Sequence, residues 1–136
     1  MNKEEKASDI SPLFTSPIEA GFPSFVENDI DNRLNLNDFL LENKTATYFL
    51  RVKGNSMNGV GIFDEDILVV DKSKEPTSGK IIIACLNGEF TVKRLLIKNN
   101  KIYLKPENPE YKSILVTKEC NFEVFGVVIY NIHKPL

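Results

Sequence analysis

The stretch KIIIACLNGEFTVKRLLIK, residues 80–98, decides the fold. Two apolar runs flank Asn87-Gly88, the pair best suited to a two-residue type I′ turn because both central residues need positive φ. The reading is a hairpin: Ile81 to Leu86, the turn, then Glu89 to Ile97. Such a loop pairs Leu86 with Glu89, and therefore Ala84 with Thr91 and Ile82 with Lys93. Cross-strand partners share a face. Lys93 is thus expected among Ile82, Ala84, Thr91 and Leu95, an apolar setting for an ammonium group. A lysine there either snorkels at the sheet edge or is held away from water and loses its charge more readily.

Outward from the hairpin the chain stays β-rich. Thr47 to Lys53 reads as a strand, with Tyr48, Leu50 and Val52 on one face. Ile67 to Asp71, Lys101 to Lys105 and Ile114 to Thr117 are further short strands. Phe122 to Ile132 is apolar on both faces, with Phe122, Val124, Val128 and Tyr130 set against Phe125, Val127 and Ile129, so it should be a central strand. Asp64-Glu65-Asp66, Pro76 to Gly79, Asn99-Asn100 and Glu107 to Glu110 read as turns and loops. Asn35 or Asn37 can cap a short helix carrying Leu36, Phe39 and Leu40 at i, i+3, i+4 spacing and ending near Asn43.

Residues 1–26 differ from the rest. Ser11-Pro12, Ser16-Pro17 and Phe22-Pro23 block helix and favour extended backbone, and the apolar residues follow neither helical nor strand period. The expectation is an extended N-terminal arm on a mainly β domain spanning residues 27–136, built of hairpins and twisted sheets with one short helix.

Length and composition narrow the function. The 136 residues suit one domain with an appendage, and an apolar content of 42% supports one core. A net charge of −2 gives no charge-driven attraction to nucleic acid or membrane, so no sequence-specific DNA binding is expected. No apolar run approaches the roughly 18 residues of a membrane span, and no apolar segment follows Met1 to Lys6 as in a secretory signal. Cys85 and Cys120 sit in apolar, strand-like runs and read as reduced core residues of a cytoplasmic protein. His133 has no acidic or hydroxyl neighbour in sequence and reads as a surface residue. No metal or cofactor site is expected, because the acidic triplet at 64–66 has no further ligand cluster beside it.

One motif suggests chemistry. The strand from Thr47 feeds into Gly54-Asn55-Ser56-Met57, where a glycine bends the chain just before a serine. A hydroxyl on a tight turn is how a nucleophile is presented, with backbone N–H groups nearby for an oxyanion. The single histidine makes a Ser-His-Asp triad a poor reading, so another base is needed. Ala20-Gly21, the only Ala-Gly pair in the chain, offers small residues that a nucleophile can approach closely.

These residues carry a resemblance. Ala20-Gly21-Phe22-Pro23-Ser24, Ala46-Thr47-Tyr48-Phe49, Gly54-Asn55-Ser56-Met57, the run Gly88 to Lys93 and the run Val124 to Ile129 occur in the order found in the UmuD branch of the LexA-like self-cleaving serine peptidases. The sequence resembles that family from about Pro17 to Tyr130, including the separation of Ser56 and Lys93. The resemblance implies Ser56 as nucleophile, Lys93 as general base, the backbone N–H groups of Ser56 and Met57 as oxyanion donors, and Ala20–Gly21 as the cleaved bond. It further implies an SOS-response role: cleavage on contact with a RecA–single-stranded-DNA filament, then service of the trimmed homodimer with an UmuC-type Y-family polymerase in translesion synthesis. The alternative within the same fold is the C-terminal self-cleavage and dimerisation domain of a LexA-type or phage repressor without its DNA-binding domain. A lysine near its usual pKa of about 10.4 is neutral in about one molecule in 2,500 at pH 7. The implied chemistry therefore requires that the fold keep Lys93 out of water.

Overall fold

A computed structural model describes residues 9–23 and 30–136. The chain divides into two compact units, Met1–Glu42 and Asn43–Leu136.

In the first unit, β1 (Ile10–Phe14) pairs antiparallel with β2 (Ile30–Asn35), from Ile10 opposite Asn35 to Phe14 opposite Ile30. Pro12 fits because each strand of a two-stranded ribbon keeps an edge that needs no N–H. β2 pairs back on β1, and both strands lie in the first unit. The helix α1 (Leu36–Leu40) follows, with the Asn35 side chain accepting from the N–H groups of Asn37 at 3.0 Å and Asp38 at 3.4 Å. Asn35 is thus the cap. The helix stops at Leu40 instead of reaching Asn43, since Leu41 already leaves helical backbone and a 3₁₀ turn, Lys44–Ala46, comes next. Leu36 and Phe39 remain exposed.

The second unit is one antiparallel sheet of seven strands: β3 (Thr47–Arg51), β4 (Ile67–Asp71), β5 (Ile81–Leu86), β6 (Glu89–Lys98), β7 (Lys101–Lys105), β8 (Ile114–Val116) and β9 (Phe122–Ile132). Their order is β3-β4-β9-β5-β6-β7-β8. The 80–98 hairpin has the expected register, with Ile82 opposite Lys93 and Leu86 opposite Glu89. Asn87 and Gly88 both have positive φ, as the I′ turn demands. Asn99-Asn100 repeats the device between β6 and β7.

The core lies in two clusters. Val52, Met57, Ile62, Leu68, Val70 and Ile83 make one; Ile82, Ala84, Leu95, Leu104 and Val127 make the other. The neighbours Ile82 and Ile83 fall in different clusters because successive side chains on a strand point to opposite faces. β9 is central, between β4 and β5, but its faces depart from simple alternation. Register shifts occur between Ile83 and Ala84 on β5 and between Val69 and Val70 on β4. Bulges in β9 opposite these points put Phe125 with Val128 against the first cluster and Phe122, Val124 and Val127 against the second. Val128 therefore does not share a face with Phe122 and Val124. Gly126 lies where a Cβ would come within 2.7 Å of Val70 Cγ1.

Candidate active site

The serine turn is tied down on both flanks. Gly54 has φ +94°, a conformation that favours glycine. Its N–H donates to Asp64 Oδ1 at 2.7 Å. Just before it, Val52 N–H donates to the Asp66 carbonyl at 2.8 Å. Behind Ser56, Met57 is buried at 1% exposure and packs in the first core cluster. A 3₁₀ turn, Asn58–Val60, follows. The loop after β7 closes the other side: Glu107 N–H donates to the Ser56 carbonyl at 2.9 Å, and Asn108 Nδ2 donates to the Asn55 carbonyl at 2.8 Å. Glu107 is itself fixed by Arg94 Nε, which donates to Oε1 at 2.8 Å. That hydrogen bond, aided by the Lys105 and Arg94 charges, holds the Glu107 carboxyl below the usual range despite burial.

Lys93 reaches this turn from β6. It is 8% exposed. Its Nζ lies 3.1 Å from Ser56 Oγ, 2.8 Å from Thr91 Oγ1 and 3.1 Å from the Val92 carbonyl. Burial pushes its pKa below the ordinary lysine value. Neutral lysine has two N–H donors and one lone pair, and the Val92 carbonyl can only accept. If Thr91 Oγ1 accepts the second N–H, the lone pair is left for the Ser56 hydroxyl proton.

Ser56 and Lys93 line an open cleft of about 470 Å³. Its walls are Leu50, Val52, Phe90 and Val92, with Leu68 and Ile83 between, so it is largely apolar. The N–H groups of Ser56 and Met57 meet no acceptor among the described residues. Ala20 and Gly21 belong to the first unit and are exposed, beside Ile18 at 85% and Phe22 at 91% exposure.

The acidic triplet is occupied within the fold. Asp64 caps Gly54, and Glu65 pairs with Arg51 and Lys53. Asp66 is buried and accepts from Phe63 N–H at 2.9 Å, Asn131 Nδ2 at 2.9 Å and His133 Nδ1 at 2.5 Å. Burial opposes its ionisation, and these hydrogen bonds outweigh burial, holding its carboxyl below the usual range. His133, read from sequence as lacking an acidic neighbour, thus has one that chain folding brings from 67 residues away, and its ring lies tilted against Phe63 with centroids 4.8 Å apart. Among the described residues no group of three or more His, Cys, Asp or Glu could hold a metal ion. Cys85 lies in β5 as expected. Cys120 is instead on the turn before β9, partly exposed, its thiol 3.5 Å from Thr117 Oγ1. No helix among the described residues is long and apolar enough to cross a membrane.

Sequence reasoning missed Glu107, Asn108 and Asp64 as supports of the serine turn. They act through single loop bonds, which leave no periodic signal.

The Peptidase S24-like family model matches residues 12–129, and the chain belongs to that family. It is 40% identical to Protein ImpA of Salmonella typhimurium over 127 residues, 92% of this chain and 85% of ImpA. It is 40% identical to Protein SamA of Salmonella typhimurium strain LT2 over 132 residues, 97% and 91% of the two chains. Protein MucA of Escherichia coli is 38% identical over 122 residues, 89% and 83% of the two. Within the family the chain is a UmuD-like protein of the SOS mutagenesis type, among the self-cleaving serine peptidases related to LexA.

Proposed function

We propose that Ser56 and Lys93 are a catalytic dyad that cuts the chain's own Ala20–Gly21 bond. The observation that carries this reading is the 3.1 Å approach of a buried lysine amine to a serine hydroxyl on a rigid turn. Neutral Lys93 takes the Ser56 proton as Oγ attacks the Ala20 carbonyl carbon. The N–H groups of Ser56 and Met57 receive the oxyanion. The tetrahedral centre collapses, the C–N bond breaks, and Lys93, now an ammonium, protonates the departing Gly21 amine. Water, deprotonated by Lys93, then hydrolyses the Ala20 ester on Ser56 and restores both groups. Thr91 positions the amine by accepting one of its N–H groups. A substrate segment on the same chain raises the effective concentration at the site.

Self-cleavage in this proposal is a switch. Removal of residues 1–20 reshapes a partner surface. Contact with a RecA–single-stranded-DNA filament favours the cleaving state, and the trimmed protein, a cytoplasmic homodimer, joins an UmuC-type Y-family polymerase. The ImpA, SamA and MucA relatives support the SOS mutagenesis setting.

Mass spectrometry of purified full-length protein incubated at alkaline pH tests the reading. A fragment beginning at Gly21 is expected from the wild type and from neither Ser56→Ala nor Lys93→Ala. The same fragment from either variant would place the chemistry elsewhere.

A further inference from the structure

The serine turn belongs to a larger loop, residues 52–66, that leaves the sheet after β3 and rejoins it at β4. Its neck is closed by backbone. Val52 N–H donates to the Asp66 carbonyl at 2.8 Å, and Glu65 N–H donates to the Val52 carbonyl at 2.9 Å. Beyond the neck the loop has two limbs. The near limb carries Gly54, whose N–H is held by Asp64 Oδ1. The far limb runs from Met57 to Ile62 and is wound on itself. Val60 and Ile62 N–H donate to the Met57 carbonyl at 3.2 and 3.3 Å, and Gly61 N–H donates to the Asn58 carbonyl at 3.1 Å. These bonds fix the shape of the loop. Its place relative to β6 and Lys93 has to be fixed by groups outside it.

Asn131 is such a group. It lies near the end of β9, opposite Leu68 of β4. Its Nδ2 donates to the Gly61 carbonyl at 3.0 Å and to Asp66 Oδ2 at 2.9 Å. Both partners only accept, so the side-chain amide has one orientation here and both its N–H groups are used. Asp66 is buried, and its Oδ2 also accepts from Phe63 N–H. The amide thus ties the far limb to the returning limb across a buried carboxylate. Further back along β9, Val127 pairs with Ile82, and Ile82 pairs with Lys93. One strand therefore grips the serine's loop at Asn131 and, through β5, the lysine's strand at Val127.

We infer that Asn131 is a positioning residue for the Ser56–Lys93 pair, holding the 52–66 loop at the distance from β6 at which Ser56 Oγ and Lys93 Nζ meet. The inference rests on the proposed dyad. The amide bonds neither reacting group and acts through Gly61 and Asp66. Glu107 and Asn108 hold the loop from the β7 side, at Gly59, Ser56 and Asn55. Asn131 holds it from the β9 side. Without the amide, Asp66 Oδ2 loses a donor in a buried setting and the Gly61 carbonyl loses its tie. The loop then shifts, and a displacement of about 1 Å between reacting groups costs up to about a hundredfold in rate.

The test follows self-cleavage of full-length protein against pH, at a temperature where every variant is folded. Asn131→Ala should lower the alkaline plateau rate about tenfold. It should also move the midpoint of the rise upward, toward the ordinary lysine value of about 10.4, because a loosened loop admits water to Lys93. Ile102→Ala, in the second core cluster, is the control for a general loss of stability, and its plateau and pH midpoint should match wild type. A lower thermal midpoint for Asn131→Ala with the plateau or the pH midpoint unmoved overturns the inference and leaves Asn131 a structural role. An equal rate loss in Ile102→Ala overturns it too. If Asn131→Ala does not fold, Asn131→Thr is read the same way, since threonine suits a strand but cannot bridge two acceptors with one hydroxyl proton. Self-cleavage by Ser56→Ala would sink the dyad itself, whereas wild-type behaviour of the Asn131 variants sinks only the positioning role.

Discussion

The Gly59 N–H donates to the Glu107 carbonyl at 2.8 Å, so close that a Cβ on residue 59 would lie 2.4 Å from the same oxygen. Glu107 is also the residue whose N–H holds the Ser56 carbonyl. Gly59→Ala must push the 106–109 loop away from the serine turn. We expect a destabilisation of about 1–3 kcal/mol, typical of overpacking, together with slower self-cleavage. Denaturant unfolding and a cleavage time course check both. Wild-type stability in the variant would mean that the loop yields freely.

Cleavage should accelerate with pH. The active form of Lys93 is neutral, and burial lowers its pKa. The rate should climb about tenfold per pH unit and level off below about pH 10.4, the unperturbed lysine value. First-order rates measured on full-length protein across this range test it, and a rate that falls with pH excludes a lysine base. The sign for stability is the same. A folded-state pKa below the unfolded one means the unfolded chain binds more protons between the two values, so stability is gained as pH rises through that window. Lys93→Met, freed of this penalty, should have a higher thermal midpoint than wild type at pH 7 while being inert.

Thr91 separates positioning from folding. Thr91→Val keeps the shape but removes the oxygen 2.8 Å from Lys93 Nζ. The cleavage rate should drop about tenfold, on the order of one hydrogen bond, and the alkaline midpoint should move. Thr91→Ser should restore both. Loss of rate with an unmoved midpoint and no rescue by serine would assign Thr91 a packing role only.

The His133–Asp66 pair links the end of β9 to the turn before β4. His133→Ala leaves Asp66 two hydrogen bonds and should cost about 1 kcal/mol in chemical denaturation. Because the Asp66 carboxyl is held below its usual pKa, its contribution is present above about pH 3.9 and is lost as pH falls through the folded-state value. The stability gap between wild type and Asp66→Asn should accordingly narrow in acid. A gap that widens there would contradict the assignment.

Much of this architecture is legible in the sequence where local chemistry is strong. Asn87-Gly88 dictates both turn and register, and that register puts Lys93 opposite Ile82. The proximity of Lys93 to Ser56 is different in kind, since it joins residues 37 apart on separate elements, and in the sequence only the family motifs point to it. The bulges in β9 were not legible, because an extra residue breaks period two without changing composition. In sequence Asp66 is one residue of an acidic turn, and only the fold shows that the turn carries it inward to meet Asn131 and His133. Asn35 and Asn37 are both plausible caps in sequence and the fold selects Asn35, while apolar spacing does not encode the helix end at Leu40.

Strand β9 sits between β4 and β5 and is the sole strand in the sheet order that joins the serine's half to the lysine's half. It also follows the other strands of the sheet in chain order. A nascent chain stalled before Phe122 carries both reactive side chains but lacks the seam that unites them. If the proposed dyad cuts the arm, it should do so only after β9 has joined the sheet. Chains ending at residue 121 should stay uncut at alkaline pH, even after prolonged incubation.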